Sequence, residues 1–226
     1  ITPRIANMYS KYKSGEKSKE CIIDLAYYGI RVSCMLAFPI VFGIISMTTV
    51  FVPVFLGGGY DKVIVLLPIF SFLVLIVGLA NIIGVAYLIP IEKQNVYTAS
   101  IIVSAVVNLL LNIWFIPKWL SVGAAMASVI AELIGLLIQL GYCLFYEKFS
   151  AVRVGKIVWR YAVSSLVMFL CVFYLKKYVV ANTAGLVILI CIGVCVYGIG
   201  LLIFRDELIM EIFRAKKEEY VGDCKK

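Results

Sequence analysis

The chain has 226 residues, of which 63% are hydrophobic and 15% charged, and it carries a net charge of +8. Soluble domains hold about 45–50% apolar and about 25% charged residues, so a soluble fold is excluded and a polytopic membrane protein is expected. In that setting the positive charge belongs to orienting loops and not to a nucleic-acid surface, and the absence of histidine removes the commonest metal ligand and proton shuttle.

Residues 1–31 are polar and basic, with Arg4, Lys11, Lys13, Lys17, Lys19 and Arg31. Neither an initiating methionine nor a signal peptide opens the sequence, which therefore reads as a piece of a longer protein. Pro3 is expected to end a preceding helix. From Cys21 to Ile30 apolar residues recur at roughly helical spacing, which predicts a short surface helix leading into the first span.

Six spans are expected. The first covers residues 32–56 and is interrupted by Pro39 and Pro53, since proline removes a backbone hydrogen bond. A turn rich in glycine, Gly57-Gly58-Gly59-Tyr60-Asp61-Lys62, leads to the second span, residues 63–90, with Pro68, Gly78, Asn81 and Gly84 along it. Pro39, Pro53, Gly78 and Gly84 are the candidate hinge positions. Residues 98–116 and 122–146 form the third and fourth spans, each long enough to cross ~30 Å of hydrocarbon and joined by a tight hairpin at Pro117 to Ser121. A basic loop, 147–160, precedes a fifth span that starts at Tyr161 and ends near Lys176 and Lys177. The sixth span is 184–204, and the tail 205–226 begins with an amphipathic face of Leu208, Ile209, Ile212 and Phe213.

Orientation follows from charge. With six spans, 17 of the 21 lysines and arginines fall on the side that holds both ends, which places both ends in the cytoplasm.

Polar groups inside the spans are the candidate site. Glu132 is the only acid well inside a span; a carboxylate in hydrocarbon is costly, so it faces protein or a wet cavity. Gln139 lies two turns on along the same face, and Ala124, Ser128 and Glu132, with Ala127 and Ala131, form a small-residue flank open to close helix approach. Glu132 either serves function or locks packing by a hydrogen bond. Asn108 and Asn112 stack four apart on the third span, as interhelical packing bonds or as a cavity lining. Arg4, Arg31, Lys93 and Arg160 lie near predicted cytoplasmic boundaries, where they bind phosphate oxygens or anchor to anionic lipid. The cysteines show no paired metal spacing, and neither a metal nor a cofactor is expected.

The run LIPIEKQNVYTASIIVSAVVNLLLNIWFIP, followed by VGAAMASVIAE and Gln139, resembles the C-terminal half of the bacterial oligosaccharide flippases that carry O-antigen or capsule repeat units. These form the polysaccharide-export branch of a MATE-like superfamily that also holds multidrug exporters and lipid II flippases. PRIANMYS and the proline-bearing span followed by FLGGGYDKV fit the same family. The resemblance runs from Pro3 to about Tyr146 and fades in the last two spans. It implies an all-α helical bundle in four parts: a loop and surface helix (1–31), four spans of the second transporter lobe (32–146), a basic loop with two extra spans (147–204), and a basic tail (205–226). It implies a flippase, not an enzyme, moving undecaprenyl-pyrophosphate-linked oligosaccharide across the bacterial plasma membrane by alternating access, next to membrane lipid and polysaccharide assembly machinery. The polar positions matching the family's blocks are Arg4, Lys93, Gln94, Asn108, Asn112, Glu132 and Gln139.

Three alternatives compete. A cation-coupled multidrug exporter on the same architecture calls for more acids inside the spans. An integral-membrane glycan enzyme calls for convergent catalytic groups in outer loops, which are short here and hold only Asp61 as an acid. A passive scaffold is the third.

Overall fold

The computed structural model describes residues 1–16, 18–204 and 208, so the predicted amphipathic tail lies outside the described residues. The described chain is helical: α1 (Thr2–Lys13), α2 (Lys19–Leu56), α3 (Asp61–Ala80) continuing as a π-helical segment (Asn81–Leu88), α4 (Gln94–Tyr146), α5 (Ala151–Leu175) and α6 (Thr183–Ile203).

Among the described residues five helices are long and apolar enough to cross a membrane, and α4, folded back on itself, supplies two arms. Its one non-helical residue is Leu120 (φ 50°, ψ −126°). Ser104 donates to the Ala131 carbonyl at 2.8 Å, and Gln139 Nε2 donates to Ser100 Oγ at 2.9 Å. In a straight helix those partners, 27 and 39 residues apart, would be separated by about 40 and 58 Å. The arms 94–119 and 121–146 are therefore antiparallel. Gly123 makes the bend possible, since a Cβ there would collide with the Phe115 carbonyl oxygen.

Pro3 lies in the first turn of α1. Two local expectations are corrected. The surface helix and first span are one helix of 38 residues, unbroken at Pro39 and Pro53 and about 57 Å long, so its first part projects beyond ~30 Å of hydrocarbon. The fifth helix starts at Ala151, not Tyr161. Ser150 accepts from Arg153 N at 3.4 Å as its cap, and Arg153, Lys156 and Arg160 recur at helical spacing, forming a charged helix face and not a loop.

α2 is the hub. It packs against α3 on one side and α5 and α6 on the other, while the α4 hairpin leans on α3 and the π-helical segment. Small residues set the close contacts: a Cβ on Gly78 would come 2.9 Å from Ser33 Oγ, and one on Gly200 would come 3.2 Å from Ser164. Outward faces carry Leu109, Ile113 and Trp114, each about 60% exposed or more, as a lipid-facing surface requires.

Pro39 cannot donate to the Met35 carbonyl, which in hydrocarbon would be left unpaired. The Tyr197 hydroxyl of α6 donates to that carbonyl at 2.9 Å. Tyr197→Phe is expected to lower stability by about 1–2 kcal/mol, read from thermal unfolding in detergent. In a Pro39→Ala background, where the restored backbone N–H can take over, the same change is expected to cost much less.

The two ends of the bundle differ. At one end Lys13 pairs with Glu92 and Arg153 Nη1 pairs with Asp24 at 2.6 Å. There Lys19 also meets Glu147 at 2.8 Å, Tyr87 donates to Glu147 at 3.2 Å, and Tyr27 and Tyr87 pack on Phe149. At the other end Lys176 donates to the Ser46 carbonyl at 3.1 Å, and burial, then Lys177, holds its ammonium below the usual lysine range.

Candidate functional site

The hairpin places one polar stripe against another. Ser100, Ser104, Asn108 and Asn112 follow at intervals of four on the first arm, and Ser128, Glu132, Gly135 and Gln139 face them from the second. Between the arms and Ala80 of α3 lies a cleft of about 310 Å³, lined by Ser100, Ser104, Asn108, Glu132, Gln139 and apolar neighbours. It begins about 9 Å along the first arm from Gln94 and ends near 21 Å, well inside the membrane-crossing stretch.

Hydrogen bonds fix most of the lining. Ser100 Oγ donates to the Tyr97 carbonyl at 2.7 Å while accepting from Gln139, and Ser104 donates across to Ala131. Asn112 Nδ2 donates to Asn108 Oδ1 at 2.6 Å, Asn108 Nδ2 donates to Ser128 Oγ at 3.4 Å, and Ser128 donates to the Ala124 carbonyl at 3.1 Å. Gln139 is 3% exposed, and its Oε1 has no partner among the described residues; it lies beside Gly84, where a Cβ would come within 2.8 Å. Glu132 is exposed and forms no ion pair among the described residues.

Of the predicted polar residues, the fold brings Asn108, Glu132 and Gln139 together in the cleft and bonds Asn112 to Asn108. It does not bring the cations there. Arg4 is exposed on α1, Arg31 is half-buried on α2, and Lys93 and Gln94 are exposed where α4 begins. Gly84 lies inside the π-helical segment and Gly78 just before it, at a kind of irregularity often found at functional sites. Among the described residues no group of three or more His, Cys, Asp or Glu could hold a metal ion.

No family model and no curated protein matches the sequence. The fold does have a solved counterpart. The structure of lipid II flippase MurJ in its inward closed conformation matches with a TM-score of 0.73 over 92% of this chain and 43% of that one. The identity is 22%, so the likeness is one of fold. The chain spans less than half the length of that structure. It shares the all-α polytopic architecture.

Ser100, Ser104 and Tyr97 belong to the site but were not among the predicted residues. The interval of four from Ser100 to Asn112 was the available signal, for it puts all four side chains on one helix face. Glu147, at the start of the basic stretch whose composition predicts a loop, is 4% exposed. Its partners come from distant segments, and no local pattern announces them.

Proposed function

We propose that this chain forms part of a flippase that carries undecaprenyl-pyrophosphate-linked oligosaccharide repeat units across the bacterial plasma membrane by alternating access. The reading makes it a transporter, not an enzyme. What supports it above all is the fold shared with a lipid II flippase over nearly the whole chain. Local support comes from the cleft, because a carboxylate and two amides are retained inside a span only where protein or water meets them. The basic residues Lys13, Lys19 and Arg153 meet their partners at one end of the bundle, which supports both ends being cytoplasmic under the positive-inside rule. In this reading Arg4, Arg31, Lys93 and Gln94 act near the cytoplasmic mouth, and the glycines at Gly78 and Gly84 with Pro39 and Pro53 take up bending. The second lobe would be the four spans of 32–146, with the two later spans added to it.

In vesicles holding the intact protein and a lipid-linked oligosaccharide, Glu132→Gln and the Asn108→Ala/Asn112→Ala double variant are expected to slow translocation about tenfold or more. Unchanged rates in both would remove these residues from transport. Absence of lipid-linked oligosaccharide movement in the unaltered protein would overturn the reading.

A further inference from the structure

The cleft has an unusual hydrogen-bond balance. Its hydroxyl donors are spent on the protein: Ser100 on the Tyr97 carbonyl and Ser104 on the Ala131 carbonyl. The amides of Gln139 and Asn108 each commit a hydrogen to a serine oxygen. What is left over is one N–H on each of these amides and the carboxylate acceptors of Glu132. Glu132 offers two carboxylate oxygens to the cleft, whereas Gln139 Oε1, unpartnered among the described residues, is closed off beside Gly84. None of the lining residues is a lysine or arginine.

An anion needs donors and opposite charge, so this cleft repels phosphate. A ligand with both donors and acceptors fits it, and one carrying a positive charge fits it best, because a fixed cation would offset the cost of holding Glu132 ionised within the membrane. The volume of about 310 Å³ lies at the lower end of small-molecule pockets, ~300–1,000 Å³, which suits one sugar ring.

We propose that the cleft binds an amino sugar, its protonated amine on Glu132 and its ring hydroxyls on the serine and amide groups that line it. This deepens the flippase reading and rests on it for the origin of the sugar, as a residue of the lipid-linked cargo. The pyrophosphate of that cargo is then held elsewhere, away from the hairpin.

Saturation-transfer NMR on the intact protein in nanodiscs tests this with glucosamine, glucose, ethanolamine, sodium ion and inorganic pyrophosphate as probes. Glucosamine is expected to show transfer, with affinity falling about tenfold or more in Glu132→Gln, the loss of one charge-assisted bond. Glucose is expected to bind more weakly and to be unaffected by Glu132→Gln. Ala105→Leu, which fills the cleft without touching its hydrogen bonds, is expected to abolish both signals. Competition from ethanolamine, sodium or pyrophosphate at equal concentration would overturn the amino-sugar assignment, as would absence of transfer or indifference to Glu132→Gln. Translocation measured alongside separates the two ideas. Lipid-linked cargo that moves without sugar binding at the cleft sinks only this inference, whereas sugar binding without translocation sinks the flippase reading.

Discussion

Lys19→Met is expected to destabilise the bundle by about 2–3 kcal/mol, whereas the double variant Lys19→Met/Glu147→Gln is expected to lie close to the unaltered protein. The reason is the burial of Glu147. Its side chain is 5% exposed and that of Lys19 is 36% exposed, so the lysine sits at the lip and the carboxylate lies inside. Removing the lysine leaves a buried charge that keeps, among the described residues, the Tyr87 hydroxyl at 3.2 Å as its side-chain partner. Breaking a fully buried pair costs about 3–5 kcal/mol, and the exposed lysine brings the figure down. Replacing both charges removes the attraction and the desolvation cost together. Thermal unfolding in detergent, followed by tryptophan fluorescence, measures the cycle. Equal losses in the single and double variants would mean the pair is a surface contact.

Gly84→Ala is expected to cost about 1–3 kcal/mol of stability and to spoil the cleft. The added Cβ would lie 2.5 and 2.6 Å from the Tyr97 ring and 2.8 Å from Gln139 Oε1. Both neighbours have to move, and Gln139 cannot do so without disturbing its bond to Ser100. Translocation is therefore expected to fall with stability. Tyr97→Ala in the same background opens space on the ring side and is expected to restore most of the stability and only part of the transport. Transport and stability both unchanged in Gly84→Ala would show that the helices separate freely at this point.

The spans were readable because hydropathy reports burial in lipid directly, and length then limits each pass. The doubling of α4 was readable from Pro117 and the polar residues around it, although its apolar arms run on through the bend. The starts of helices were harder. Arg153, Lys156 and Arg160 carry the charge of a loop at the spacing of a helix face, and the spacing is what the fold follows. In the cleft, Glu132, Gln139 and the asparagines stood out as polar groups in apolar runs. Ser100 and Ser104 did not, since serine is common in membrane helices and only the facing arm shows what they hold. Glu147 depends on α2 and the π-helical segment, contacts set by tertiary packing alone.

The bonds across the α4 hairpin also bear on how the chain is made. Each arm by itself would carry polar groups into oil with part of their bonding unmet: the Ser104 hydroxyl and the Asn108 and Gln139 amides find their acceptors on the facing arm. The pair should therefore leave the insertion machinery together, the first arm waiting beside the translocon until synthesis has delivered the second.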